Sequence, residues 1–210
     1  MQGTNKLLYI IRHGETEFNK KSIIQGSGVD SELNETGRIQ ANAFYQAYHQ
    51  TPFELLICSA LQRSYQTIEP FIELKIPLEK DSNINEINWG IHEGQKSAPW
   101  MIERFNQVVS QWKIGNYKAS VENGESAASL SARLSTFLDR IRLKKENNIL
   151  ICSHGRTLRC LMCLINQEPL SEMEKYRHSN TGLFLIRQSG GSFVMEKNND
   201  TAHLNGKMIL

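Results

Sequence analysis

No apolar stretch in this 210-residue sequence approaches the ~18 residues that a membrane-spanning helix needs, so no membrane association is expected. The first residues, MQGTNKLLYII, lack a basic segment followed by an apolar one and a small-residue cleavage site, and the cytoplasm is the expected compartment. Charge of one sign is missing too. The 24 Lys and Arg stand against 22 Asp and Glu, a net charge of +2, and the two signs are interspersed, which argues against nucleic acid as a partner. Cysteine is sparse: Cys58, Cys152, Cys160 and Cys163 form no disulfide framework. The CLMC stretch has CxxC spacing but no second ligand pair and lies in a helical run, so buried free thiols are expected there. There is no HxxxH pair, no GxxxxGK(S/T) loop and no carboxylate cluster suited to Mg²⁺, so neither a metal nor a cofactor is expected. Repeats, low-complexity tracts and linkers are likewise missing, and residues 1–210 are expected to form one domain.

What is present is ordinary core material, 40% hydrophobic and 22% charged, arranged in alternating strand and helix patterns. Leu7–Ile11, Phe53–Ser59 and Asn148–Gly155 are short apolar runs of the kind buried on both faces of a sheet. Helical patterns follow them, at about 36–48, 60–74 (stopped by Pro77) and 156–165. A weakly periodic stretch covers 98–112. Ser126 is placed to cap a further helix running to about Leu143, with Glu125 beside its positive end. Residues 82–96 read as a polar loop, and Leu183–Arg187 and Ser192–Lys197, separated by QSGG, as a hairpin. The expected fold is α/β: a three-layer sandwich with a mostly parallel central sheet, helices on both faces and a C-terminal hairpin at one edge.

The chemistry gathers at three strand ends. The first strand stops at Arg12-His13-Gly14, the second at CSALQRS with Arg63 in the following helical turn, the third at Ser153-His154-Gly155. Open α/β sheets bind ligands at the carboxyl ends of their strands, which brings two histidines and two arginines towards one crevice. Paired guanidinium groups suit a phosphate dianion, and a glycine after each histidine lets backbone approach closely. Without Mg²⁺ ligands, arginine and histidine must supply the charge neutralisation that phosphoryl transfer requires.

RHGETEFN, Gln25-Gly26, LNETGRIQA, SALQRSYQT, INEINWGIHEG, NGES and SHG follow one another in the order and rough spacing of the histidine phosphatase superfamily, the phosphoglycerate mutase-like proteins. The resemblance runs from about Leu7 to HSNTGLFLI. It implies that His13 is the nucleophile, forming a phosphohistidine, and that Arg12, Arg63 and His154 line the phosphate pocket. It implies further that Asn19 and Gln25 add neutral donors to the phosphate and that Glu86 protonates the leaving alcohol. To attack, His13 must be neutral; like-charge repulsion from Arg12 and Arg63 favours that form, and a hydrogen bond from its other nitrogen to backbone would set the tautomer. A His154 donor would stabilise charge on the transferring oxygens. An exposed glutamate is ionised at pH 7, so the role of Glu86 calls for burial or a nearby bound phosphate. Glu93 is expected to be structural, and His92, His178 and His203 to be surface or hydrogen-bonded structural residues.

The sequence departs from the family pattern at Phe18, where tryptophan is usual, and in QGSGVDSELN, which is about one residue long and has Glu32 where proline is frequent; this bears most on Gln25. Mutases of the superfamily carry a long, basic insert after the acid. Here the segment 87–123, expected to form a helical lid, offers only Lys96, Arg104, Lys113 and Lys118, so hydrolysis of a small-molecule phosphate ester is favoured. Phosphoglycerate mutase-type transfer and non-catalytic phosphate-ester binding are the alternatives. Trp89, Trp100 and Trp112 all fall in that segment, and most are expected in the core; any lining the crevice would give it an apolar wall. Physiological substrate, oligomeric state and regulation stay open.

Overall fold

The computed structural model describes residues 6–205. Strand β1 (Lys6–Arg12) leads to a short helix α1 (Glu17–Lys20) and to α2 (Glu35–Tyr48), whose cap Asn34 accepts from the amide of Gly37. β2 (Leu55–Cys58) is followed by α3 (Gln62–Ile68) and then a 3₁₀ segment, Glu69–Leu74. Pro70 explains the change: it has no N–H to continue the α ladder, so the helix expected over 60–74 divides there. β3 (Leu78–Lys80) comes next, then α4 (Pro99–Lys113), α5 (Ala127–Leu143), β4 (Asn148–Ser153), α6 (Gly155–Ile165), β5 (Leu183–Ser189) and β6 (Ser192–Asp200). The region read as a loop, 82–96, holds two 3₁₀ turns, Ser82–Ile84 and Gly90–His92.

The fold is an α/β sheet of six strands in the order β3-β2-β4-β1-β5-β6. β1 to β4 pair in parallel, and β5 and β6 add an antiparallel edge. Alternation along each strand builds two cores. Leu8, Ile10, Ile57, Ile149 and Ile151 face α5 and α6 (Leu130, Phe137, Leu158, Leu161). Ile11, Leu56 and Leu150 face α2, the end of α3 and the segment after it (Phe44, Ile68, Phe71). Covering both faces forces the ligand-binding end of the sheet to its rim, where the strands hand over to the helices.

Candidate active site

The pairing register places the three strand ends side by side. Arg12 is opposite Ser153, Cys58 is opposite Cys152, and the amide of His13 donates to the carbonyl of Ser153 at 2.9 Å. His13 (3% exposed), Arg63 and His154 (each 0%) therefore share one buried space, with the two imidazole centroids 5.1 Å apart. Gly14 lets α2 close on this loop: a Cβ at Gly14 would lie 2.6 Å from the carbonyl oxygen of Gly37.

The Nδ1 of His13 lies 2.7 Å from the carbonyl oxygen of Gly14. A carbonyl can only accept, so Nδ1 carries the proton and Nε2 keeps its lone pair. Burial, then the charges of Arg63 and Arg12, hold the imidazole well below its usual 6.5. The backbone around it is pinned from the other side as well, since Asn180 Nδ2 donates to the His13 carbonyl at 2.9 Å and the Thr181 amide to that of Arg12 at 3.0 Å.

His154 is organised differently. Arg63 Nε donates to its Nδ1 at 3.2 Å, so the ring proton is on Nε2, which donates to Ser59 Oγ at 2.7 Å. Burial, Arg63 and His13 keep this imidazole neutral too. The guanidinium of Arg63 also donates to the carbonyls of Val29 (2.7 Å) and Gly26 (3.2 Å). In the resting site both nitrogens of His154 are thus engaged with protein, and a donation to phosphate has to replace the Ser59 contact. Arg12 is partly buried, its Nε without a partner among the described residues, and burial brings it down to about 10.

Glu86 is 8% exposed and sits over the first turn of α6. Its Oε1 accepts from the amides of Ile87 (3.0 Å) and Thr157 (3.0 Å) and from Thr157 Oγ1 (3.1 Å), its Oε2 from the amide of Arg156 (3.1 Å). Amides at a helix N-terminus are a natural cradle for a carboxylate. Arg133, itself paired with Glu125 at 2.7 Å, donates to the Glu86 carbonyl at 3.3 Å and fixes the loop from behind.

Asn19 and Gln25 meet at Thr16. Asn19 Oδ1 accepts from the Thr16 amide (3.2 Å) in a capping box, so only its Nδ2 remains to face a ligand. Gln25 Nε2 donates to Thr16 Oγ1 at 2.8 Å and its Oε1 accepts from Ser31 Oγ, so both ends are tied within the loop. Glu93 accepts from the amides of Gly28 (2.8 Å) and Trp89 (2.8 Å), joining two loops as a structural residue.

Trp89, Phe105 and Trp112 surround the guanidinium of Arg156 at 5.8, 5.5 and 5.5 Å, and Arg156 also pairs with Glu174. Trp100, half exposed, lies edge-on to His92, which is buried rather than at the surface and has no partner for Nε2 among the described residues. His178 packs against Gly155, and His203 meets Thr181 Oγ1 at 3.0 Å. Arg156, Thr157, Ser59 and Asn180 were not singled out from the sequence. Ser59 and Asn180 lie inside the SALQRS and HSNTG blocks, and Thr157 directly follows SHGR, which was the available signal.

Among the described residues no group of three or more His, Cys, Asp and Glu is placed to hold a metal ion, and no helix is long and apolar enough to cross a membrane. The profile of the histidine phosphatase superfamily (branch 1) matches residues 8–201. Phosphoserine phosphatase 1 of Hydrogenobacter thermophilus is 28% identical over 199 residues, 94% of this chain and 93% of that one. A Yersinia pestis protein named a probable phosphoglycerate mutase, GpmB, is 29% identical over 209 residues, covering 94% of each chain. Among solved structures, a phosphoserine phosphatase of Entamoeba histolytica in complex with phosphoserine aligns with a TM-score of 0.81 at 25% identity, over 95% of this chain and 99% of that one.

Proposed function

The chain belongs to the histidine phosphatase superfamily and is a phosphatase-type enzyme, and from that premise we propose that it hydrolyses phosphate monoesters without a metal, through a phosphohistidine on His13. The neutral Nε2 attacks phosphorus while the ester P–O bond breaks, and Glu86 gives its proton to the departing alcohol oxygen. Water then attacks the phosphohistidine, its proton passing to the Glu86 carboxylate. The P–N bond breaks, releasing inorganic phosphate and restoring neutral His13. Arg12 and Arg63 neutralise the phosphoryl oxygens, Asn19 Nδ2 adds a neutral donor, Gln25 holds the Thr16 loop beside it, and His154 holds Arg63. Residues 87–123 serve as a lid anchored on Arg156.

The observation that carries this reading is the 2.7 Å contact between His13 Nδ1 and the Gly14 carbonyl, which leaves a buried, uncharged imidazole with Nε2 as its lone-pair nitrogen. Hydrolysis is favoured over transfer back to substrate because Lys96, Arg104, Lys113 and Lys118 are all exposed, so the lid offers no buried basic arm to hold a phosphorylated intermediate.

The test is release of phosphate from an aryl phosphate by the protein and by its His13→Ala variant, with EDTA present. Release by the unmodified protein alone is expected. Equal release by both would remove His13 from the mechanism. Isomerisation of 3-phosphoglycerate faster than ester hydrolysis would shift the assignment to a mutase. Binding of phosphate esters without either reaction would make the protein a non-catalytic binder.

A further inference from the structure

The loop that carries Glu86 is held by its backbone, four successive carbonyls each meeting a side chain. Arg133 donates to the carbonyls of Asn83 (2.6 Å) and Glu86 (3.3 Å), Ser153 Oγ to that of Ile84 (2.8 Å) and Thr157 Oγ1 to that of Asn85 (2.8 Å). Helix α6 has no side-chain cap at His154, and the Glu86 carboxyl takes that place over the amides of Arg156 and Thr157. Thr157, completely buried, reaches the loop three times. Its amide meets Oε1 at 3.0 Å, and its hydroxyl lies 3.1 Å from Oε1 and 2.8 Å from the Asn85 carbonyl.

A threonine hydroxyl has one proton, and here it faces two acceptors. The Asn85 carbonyl stays neutral, whereas the Glu86 carboxyl changes charge during the reaction. With Glu86 ionised the hydroxyl proton favours Oε1, because a hydrogen bond to a charged oxygen is roughly twice as strong as one to a neutral oxygen. With Glu86 protonated that advantage is gone, and the shorter contact to the Asn85 carbonyl takes the proton. The amides cannot follow the charge in this way, since the backbone fixes the direction of each N–H. The donors are also unevenly shared. The amides of Ile87 and Thr157 and the Thr157 hydroxyl crowd Oε1, while the amide of Arg156 reaches Oε2. The position left open on the carboxyl is therefore on Oε2.

We propose that Thr157 is a positioning residue for proton donation. It ties up Oε1, leaves Oε2 to hold the proton, and swings its hydroxyl from Asn85 to Oε1 as charge appears on the carboxyl. While the ester P–O bond breaks, the Oε2–H bond breaks with its electron pair left on the carboxylate, and the proton forms the O–H of the departing alcohol. The Thr157 proton stays on Thr157 and only changes partner. When water attacks the phosphohistidine, its proton returns to Oε2 and the hydroxyl turns back to Asn85. The inference rests on Glu86 being the proton donor, as proposed above.

The experiment compares kcat/KM for an alkyl and an aryl phosphate in the unmodified protein, Thr157→Val, Thr157→Ser, Glu86→Gln and the Thr157→Val, Glu86→Gln double variant. Thr157→Val keeps the shape and removes the hydroxyl. It is expected to lose about tenfold more on the alkyl ester than on the aryl ester, the worth of one hydrogen bond to a charged group. Thr157→Ser, which keeps the hydroxyl, should bring the alkyl ester back to within about threefold of the unmodified protein. In the Glu86→Gln background Thr157→Val should leave the alkyl-to-aryl ratio unchanged, since no charge remains for the hydroxyl to follow. Thr157→Cys, alike in shape but with only a weak S–H donor, should show the same one-sided loss, so the result does not hang on the valine variant folding. Equal losses on both esters in the valine or cysteine variant, or a serine variant no better than valine, would overturn the role of Thr157. Should Glu86→Gln lose activity on the alkyl ester alone while Thr157→Val loses it equally on both, Thr157 is removed and Glu86 stands. Equal losses on both esters in Glu86→Gln would remove the proton-donor reading and this inference with it.

Discussion

Arg63 Nε donates to His154 Nδ1 across 3.2 Å, and both side chains are completely buried. The direction of that bond settles more than a contact. A guanidinium cannot accept, so His154 keeps a lone pair on Nδ1, carries its proton on Nε2 and stays neutral. Its companion His13 reaches the same uncharged state with the opposite tautomer, protonated on Nδ1 against the Gly14 carbonyl. Of the two imidazoles only His13 therefore keeps its Nε2 as a lone pair, and His154 is engaged at both ends.

A glutamine at 154 can imitate both contacts, its Oε1 accepting from Arg63 and its Nε2 donating to Ser59. His154→Gln is accordingly expected to keep kcat/KM within about tenfold. His154→Ala leaves Arg63 and Ser59 unpaired in the interior and is expected to cost roughly 2–4 kcal/mol of stability and about a hundredfold in kcat/KM. Equal losses in the two variants would mean that the imidazole itself donates to the phosphate.

The two neutral imidazoles also govern stability against pH. Both titrate near 6.5 when the chain unfolds and well below that in the fold, chiefly because they are buried. Below pH 6.5 the unfolded chain therefore binds protons that the folded one does not, and stability falls as the pH drops. Their contribution is fully present above about pH 6.5 and declines by about 1.4 kcal/mol per pH unit for each imidazole as the pH falls towards the folded values. Urea midpoints between pH 7.5 and 5.5 check this, and His154→Gln should remove the share of one imidazole from the slope. An unaltered slope in that variant would show that His154 takes up its proton in the fold just as it does in the unfolded chain.

Glu86→Gln separates proton donation from the rest of the chemistry. An alkyl phosphate, whose alcohol leaves poorly without a proton, is expected to lose about 10²–10⁴ in kcat/KM. An aryl phosphate with an acidic phenol should lose far less, since its leaving group departs as the anion. The substitution also sets an amide N–H against either the amide of Arg156 or those of Ile87 and Thr157, all of them donors, at a cost of about 1–3 kcal/mol. Equal losses on both esters would identify that structural conflict, not proton donation, as the cause.

Much of this framework was legible in the chain. The three apolar runs that end in charge or hydroxyl marked β1, β2 and β4, because a strand buried on both faces leaves only its end free for chemistry. β3 was not legible: three residues at a sheet edge, Leu78-Glu79-Lys80, none fully buried, carry too little hydrophobic pattern. Pro70, not Pro77, ends α3, because the residue nearer the helix removes the first N–H the ladder needs. Within the site, residue types indicated a phosphate pocket, but not which partner each polar atom takes. Gln25 is tied to Thr16 and Ser31, and the cradle of Glu86 is made of backbone amides, which no sequence pattern names. The tryptophans were read correctly as mostly core. What Trp89 and Trp112 enclose, the guanidinium of Arg156, depends on a meeting of residues more than forty positions apart in the chain.

That enclosure makes Arg156 the test of how residues 87–123, the proposed lid, are attached. Its side chain is 8% exposed, lies among Trp89, Phe105 and Trp112, and pairs with Glu174, while its amide helps to cradle Glu86. Arg156→Ala opens a void among three rings and is expected to cost about 2–4 kcal/mol. Arg156→Met refills the void without the charge. Because Glu174 keeps Arg159 as a partner, the methionine variant should recover at least half of the loss in denaturant midpoint. Tryptophan emission should shift in both variants, since each removes a cation from the faces of two indoles. If the methionine variant is as unstable as the alanine variant, the ion pair with Glu174 rather than ring packing anchors the lid.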